Sequence, residues 1–334
     1  MKWGWERQKP AIEALRRLNH LASPAPDKYF SDSGIATWRA LEPQLPETHL
    51  RHFLCPEPLA LYDELNTDNT PHHRREEIGM HLNQLGDPRH GVGLNSNGLP
   101  DIAWINIPAG EVTLDTESQE HFTVRPFRLA RYPVTWVQYL AFLDAADGYC
   151  NPAWWEDRPR KEKPSSLLWS IANYPVINVS WYDALAYCRW LSVKLQLPIR
   201  LPAEWEWQWA GVGGTQQDYP SWRGERNRQR VNSFEAGIGR TVAVGLYPLA
   251  RSPFGVDDMA GNVCEWCLSS YGQPSDISLS TSEARVLRGG RWDNDPGFVR
   301  ASVRFGLHPG GRFNAVGFRV LCSVPHRIVD RGRR

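Results

Sequence analysis

The chain has 334 residues, enough for two domains or for one large domain with an appendage. Its 38 basic and 37 acidic residues are interspersed and leave a formal charge of +1, with no basic stripe, which argues against nucleic acid as a partner. The opening MKWGWERQKP lacks an apolar signal core and no stretch approaches membrane-span length, so no membrane is expected and a cytoplasmic location is.

In that compartment the six cysteines (Cys55, Cys150, Cys188, Cys264, Cys267, Cys322) are expected to be reduced thiols. Cys264 and Cys267 form a lone C-x-x-C with no second pair and no nearby histidine pair, so a zinc or redox site is not expected. The 16 tryptophans must be largely buried, because that much exposed indole would aggregate.

Residues 1–98 read as a helical N-terminal region. Ile12, Leu15, Leu18 and Leu21 recur at helical spacing until the SPAP at 23–26 stops them. A second helix is predicted over 59–65. A third starts at Thr70 and Pro71, as N-cap and first-turn proline, and runs through Ile78, Leu82 and Leu85 to Gly86 and Pro88. His72, His73 and His81 lack a spacing that would gather them on one metal. A turn-rich linker, GVGLNSNGLP at 91–100, follows.

WINIPAGEVTLD then reads as strand, turn, strand. RLARYPV leads into a helix with Thr135 as N-cap and Gln138 completing a capping box, its buried stripe Trp136, Leu140 and Leu143. YPVINVSWYDALAYCRWLSVKL repeats that design with Ser180 and Asp183, and a stripe of Trp181, Leu185, Cys188, Leu191 and Leu195. In RLPAEWEWQWAG the alternation of Trp205, Trp207 and Trp209 is strand-like, and local pattern leaves this element open between strand and helix.

The C-terminal stretch 285–321 is different in kind. Two apolar runs, Val286-Leu287 and Phe318-Arg319-Val320, are expected as half-buried strands, and Gly289-Gly290 ends the first. Between them Arg300, Arg304 and Arg312 recur as posts. The positions around these posts hold a mixed set: Arg291, Asp293, Asn294, Asp295, Phe298, Val303, Phe305, Leu307, His308, Phe313 and Asn314, with Gly297, Gly306, Gly310, Gly311 and Ala315 among them. A core would show a steady apolar period here, so 291–315 is expected to be a surface that displays side chains for a ligand.

Six motifs then agree in order: PVTWVQYLAFL, YPVINVSWYDALAYCRWLS, RLPAEWEW, DDMAGNVCEW, LRGGRW and AVGFRV. Together they resemble the formylglycine-generating-enzyme (sulfatase-modifying factor) family over roughly residues 104–322. The resemblance implies an α+β chain with the loop-rich C-type lectin fold of that family, preceded by the helical N-terminal region. The domain would occupy 99–324, with a basic tail at 325–334. It also implies that RLPAEWEW is helical.

Formylglycine-generating enzymes hold copper on a cysteine pair between GG-x-W and GFR, where a soft cuprous ion needs thiolates. Here those positions fall near Pro296 and Ala301, and no cysteine lies between Gly289 and Leu321, so no copper and no such oxidase activity is expected. A second branch, the non-haem iron sulfoxide synthases, adds a helical domain that supplies three histidines. The N-terminal region here is shorter and its histidines lack that spacing.

The C-terminal stretch is similar to the variable region of diversity-generating retroelement variable proteins: GG-x-W, spaced arginines, then GFR. Miscopied adenines in AAC codons cannot yield Lys, Glu, Gln, Met or Trp, and none of these stands at the positions named above. In DDMAGNVCEW the resemblance implies a structural calcium ion held by Asp258, Gly261, Val263 and Glu265, with oxygen ligands suited to it. Asn232 and Ser233 would belong to a second such site, whose other ligands do not match.

The expected function is therefore non-catalytic recognition of a protein or other macromolecular ligand, with a docking partner for the N-terminal helices. The alternatives are a metal-dependent enzyme of the same family, of the non-haem iron type, or the sensor module of a larger effector or defence system.

Overall fold

The computed structural model describes residues 58–116, 119–156, 171–213, 230–279 and 283–323, which lie within one compact unit, Pro56–Arg334. The predicted helix around Ile12 and the basic tail fall outside the described residues. Helices α1 (Pro58–Leu65) and α2 (His72–Gln84) are the second and third predicted helices. The buried Arg75 guanidinium joins them to the rest by donating to the carbonyls of Leu65, Thr67, Thr70 and Leu246. Thr70 does not cap α2: Pro71 holds that position, and the Thr70 hydroxyl turns back to the Glu64 carbonyl. His72 is bonded to the Tyr247 hydroxyl at 2.8 Å.

Strands β1 (Trp104–Ile107), β4 (Phe127–Ala130), β5 (Ile199–Arg200) and β10 (Leu321–Cys322) form one antiparallel sheet in the order β1-β4-β10-β5. β2 (Gly110–Thr113) and β3 (His121–Val124) make a separate hairpin. The strand-turn-strand reading of 104–115 therefore holds, although β1 and β2 join different sheets. The third sheet, β8-β7-β6-β9, carries the C-terminal stretch: β6 (Cys264–Ser270), β7 (Arg285–Arg288), β8 (Arg304–Leu307) and β9 (Val316–Gly317).

Three helices pack on these sheets. α3 (Trp136–Asp144) and α4 (Trp181–Leu195) begin at the predicted capping boxes of Thr135 with Gln138 and Ser180 with Asp183. Each box satisfies two otherwise orphaned N–H groups. On α3 the fully buried side chains are Tyr139 and Phe142, while Leu140 is half-buried. These rings meet Tyr187 and Phe318 in one aromatic cluster with centroids 5.3–6.3 Å apart. α5 (Glu204–Val212) settles the open element: the EWEW half of RLPAEWEW is helical, with Trp207 fully buried, while Arg200 belongs to β5 and 201–203 lead into the helix. Tertiary packing overrides the strand-like alternation there.

The two apolar runs of the C-terminal stretch are buried on both faces, not half-buried. All of β7 is inaccessible, and Phe318, Arg319 and Val320 form a covered connection between β9 and β10. Among the described residues no helix is long and apolar enough to cross a membrane.

Candidate functional site: a displayed segment pinned by arginines

The segment 291–315 leaves β7 through Gly289 and Gly290, both at positive φ (92° and 70°). A side chain at Gly290 would meet the Phe298 carbonyl at 2.6 Å, so glycine is required for the chain to fold back there. The segment next makes a tight turn. The Asn294 side chain accepts from the Arg291 N–H at 3.1 Å, and the Phe298 N–H donates to the Asp295 carbonyl at 2.8 Å. It then forms edge strand β8 and returns through 308–315 to β9. The Phe313 carbonyl accepts from Asn178 N–H and the Ala315 carbonyl from Cys264 N–H.

Two of its arginines reach inward. Arg304 sets a two-pronged hydrogen bond on Glu204, at 2.9 and 2.8 Å, and Arg312 sets another on Asp183, at 2.7 Å twice. Arg319, just beyond, grips Glu265 at 2.6 Å twice. All three carboxylates are buried, and such paired, charge-assisted bonds are the strong and directional kind. Each acid comes from a different element: the first turn of α5, the capping box of α4, and β6.

Glu204 also accepts from Arg288 at 3.1 Å, and Asp183 from the Tyr149 hydroxyl at 3.1 Å. Burial opposes the charge on Arg312, but Asp183 outweighs it and the guanidinium pKa is raised. Arg300 is tied to the Gly297 carbonyl at 2.9 Å. From the sequence Asp183 is legible as a helix cap, and nothing marks Glu204 as the partner of Arg304. The available signal was an acid in the first turn of a helix that starts inside the core.

The expected display residues divide. Phe298 and Phe313 are 52% and 46% exposed, and Asp295, His308 and Asn314 are also exposed. Arg291 and Asp293 pair with each other at 2.7 Å, half-exposed, while Asn294 and Val303 are half-buried. Phe305 and Leu307 share one face of β8, half-buried against the core. The Phe298 ring lies 6.4 Å from that of Phe305, and a side chain at Gly311 would meet both Leu307, at 3.3 Å, and the Phe313 ring, at 3.1 Å. His308 folds back, its Nδ1 accepting from Gly310 N–H at 3.1 Å. Ala315 is wholly buried. Trp292 is half-buried, not a core residue.

Phe234 joins this surface without having been anticipated. It is 66% exposed, and its N–H donates to the Asn294 carbonyl at 3.0 Å.

Of the four residues expected to hold calcium, Glu265, Asp258 and Gly261 already have other partners. Both Glu265 oxygens are taken by Arg319, and one also accepts from Trp207 Nε1 at 2.8 Å. Arg319 further reaches the Asp257 and Asp258 carbonyls, so a guanidinium already supplies the positive charge. The Asp258 carboxylate accepts from Gly245 N–H, and burial, then the neighbouring Asp257, pushes it up to about 7. The Gly261 carbonyl accepts from Val263 N–H at 2.8 Å. Asn232 bonds Asn262 and the Arg240 carbonyl.

Cys264 and Cys267 are buried three apart on β6, hence on opposite faces, and burial pushes the Cys264 thiol up to about 12. Among the described residues no group of three or more His, Cys, Asp or Glu side chains is placed to hold a metal.

The family model for the sulfatase-modifying factor enzyme 1-like domain matches residues 96–324. The chain belongs to this family. It is 29% identical over 272 residues to hercynine oxygenase of Mycolicibacterium smegmatis, covering 70% of this chain and 62% of that protein. It is 35% identical over 216 residues to the serine/threonine-protein kinase pkn1 of Chlamydia caviae, covering 59% of this chain and 33% of the kinase. The chain thus spans less than two thirds of either relative.

Among solved structures it is similar to Treponema denticola variable protein 1, with a TM-score of 0.55 and 23% identity over 69% of this chain and 98% of that one. It is also similar to PvdO from Pseudomonas aeruginosa, with a TM-score of 0.53 and 27% identity over 67% and 95%. These likenesses establish the α+β fold expected from the six motifs.

Proposed function

We propose that this chain is a non-catalytic, cytoplasmic recognition protein that binds a protein ligand through 291–315. The observation that carries this reading is the division of labour in the segment. Arg304 and Arg312 are spent on buried scaffold carboxylates, while Phe298 and Phe313 stand at the surface. Exposed large apolar groups mark binding sites, and aromatics are the usual hot spots. A variable protein shares the fold, which supports this use of it. The N-terminal helices would dock a second partner.

The test is a double variant, Phe298→Ser with Phe313→Ser. Surface changes cost about 0.5 kcal/mol or less, so its thermal unfolding should match the parent. Binding to the partner recovered with the unaltered chain should be lost. A variant that melts well below the parent, or binds as before, overturns the assignment. The purified chain should also leave a cysteine-containing sulfatase-motif peptide unoxidised with copper present, because no cysteine lies between Gly289 and Leu321. Formylglycine in that peptide would contradict this.

Two other readings have a specific observation each. Similarity to hercynine oxygenase favours a metal-dependent enzyme, whose centre would need residues outside those described; turnover of hercynine by iron-loaded protein would establish it. Similarity to one third of a kinase favours a sensor module within a larger effector.

A further inference from the structure

We propose that the outer edge of β8 accepts an extended segment of the partner protein as an added strand. Main-chain hydrogen bonds would carry the affinity, and the side chains of 291–315 would choose among partners. This rests on the recognition reading above and names the chemistry of what is recognised.

β8 ends its sheet, and among the described residues no strand pairs with its outer side. An edge strand presents unpaired N–H and C=O groups at every second residue, a pattern that only another extended backbone matches in full. Proteins blunt such an edge with proline, charged side chains, a bulge or a very short strand; β8 is short and opens on Arg304, but that guanidinium is turned onto the buried Glu204. Arg304–Leu307 contains no proline or lysine, and its register with β7 runs through four successive pairs without a bulge. The opposite edge of the sheet is closed: β9 is fully buried, and the Val176 carbonyl lies against Gly317.

Both faces of the β8 edge are shouldered by aromatic rings. Phe298 stands beside Phe305 on one face. On the other, a Cβ at Gly306 would come within 2.7 Å of the Tyr271 ring, so this half-exposed ring lies flat on the strand. An incoming strand would find main-chain partners between the two shoulders, with places for alternate side chains on either face.

The same geometry answers a difficulty of any changeable surface. Its affinity cannot rest wholly on side chains that differ between versions. Backbone groups stay the same whatever side chains they carry, so an open edge offers a constant contribution.

The probe is a short peptide selected from a displayed random-peptide library against the intact chain, then resynthesised with one N-methyl amide at a time. Affinity should fall about tenfold or more at every second residue and little at those between, as expected for lost main-chain hydrogen bonds. Hydrogen exchange of alternate amides in 304–307 should slow on binding. Retention of no peptide, N-methyl losses without that alternation, or unchanged exchange in β8 would each overturn the proposal. Binders from a folded-protein library that depend on Phe298 and Phe313 but not on the edge would also overturn it, while leaving the recognition reading intact.

Discussion

Glu265→Ala is expected to destabilise the fold by about 3–5 kcal/mol, the usual cost of breaking a buried ion pair by removing one partner. Both partners are inaccessible: Arg319 and Glu265 are each 0% exposed and meet at 2.6 Å. Without the carboxylate, the guanidinium keeps only main-chain carbonyls as acceptors, and Trp207 Nε1 loses its acceptor in the core. Chemical denaturation of parent and variant gives the difference directly. The same experiment bears on calcium. Because Arg319 already neutralises this carboxylate, a chelator should leave the parent's melting temperature unchanged, whereas an ion bound only by the native state would reveal itself by mass action. A chelator-sensitive parent would mean that an ion shares the site.

Glu204→Ala should be comparably damaging and should also disturb the surface. This acid holds Arg288, which is fully buried, and Arg304, which belongs to the displayed segment. Burial already lowers the Arg288 pKa against the support of Glu204. Removing the acid strands one charge inside and releases β8, for about 3–5 kcal/mol. Asp183→Ala should cost less. Arg312 is 18% exposed and can recover some hydration, so the loss of the capping box, about 1 kcal/mol, becomes a larger share. Side-by-side denaturation should place Glu204→Ala below Asp183→Ala in stability. The reverse order would mean that Arg288 finds other acceptors.

What was legible beforehand follows from how local each cause is. The capping boxes of Thr135 and Ser180 are written within four residues, and both helices start where expected. The Gly289-Gly290 turn is equally local. The helix holding Trp205, Trp207 and Trp209 was not readable from its own alternation, because the packing that decides it comes from distant elements; only the six-motif resemblance resolved it. Trp292, the aromatic of the LRGGRW motif, is half-buried, and nothing within the motif itself sets its depth. The partners of the arginines were invisible for a related reason. Arg304 and Glu204 are far apart in the chain, and no spacing rule connects them. Glu265 is expected at an ion from the resemblance alone; its pairing with Arg319, 54 residues away, is not a short-range pattern.

The arginine forks imply an asymmetry in what the segment can survive. Substitution between Arg304 and Arg312 leaves the length of chain between them unchanged, and with it the reach of each guanidinium to its own acid. A single inserted or deleted residue alters that length. One fork must then miss its carboxylate, or β8 must slip its register and turn Phe305 and Leu307 to the opposite face. The surface is therefore open to changes of letter and closed to changes of length. Functional versions of this segment should differ in composition at exposed positions such as His308, while keeping glycine at 306, where a Cβ would meet the Tyr271 ring at 2.7 Å, and the same number of residues between these two arginines.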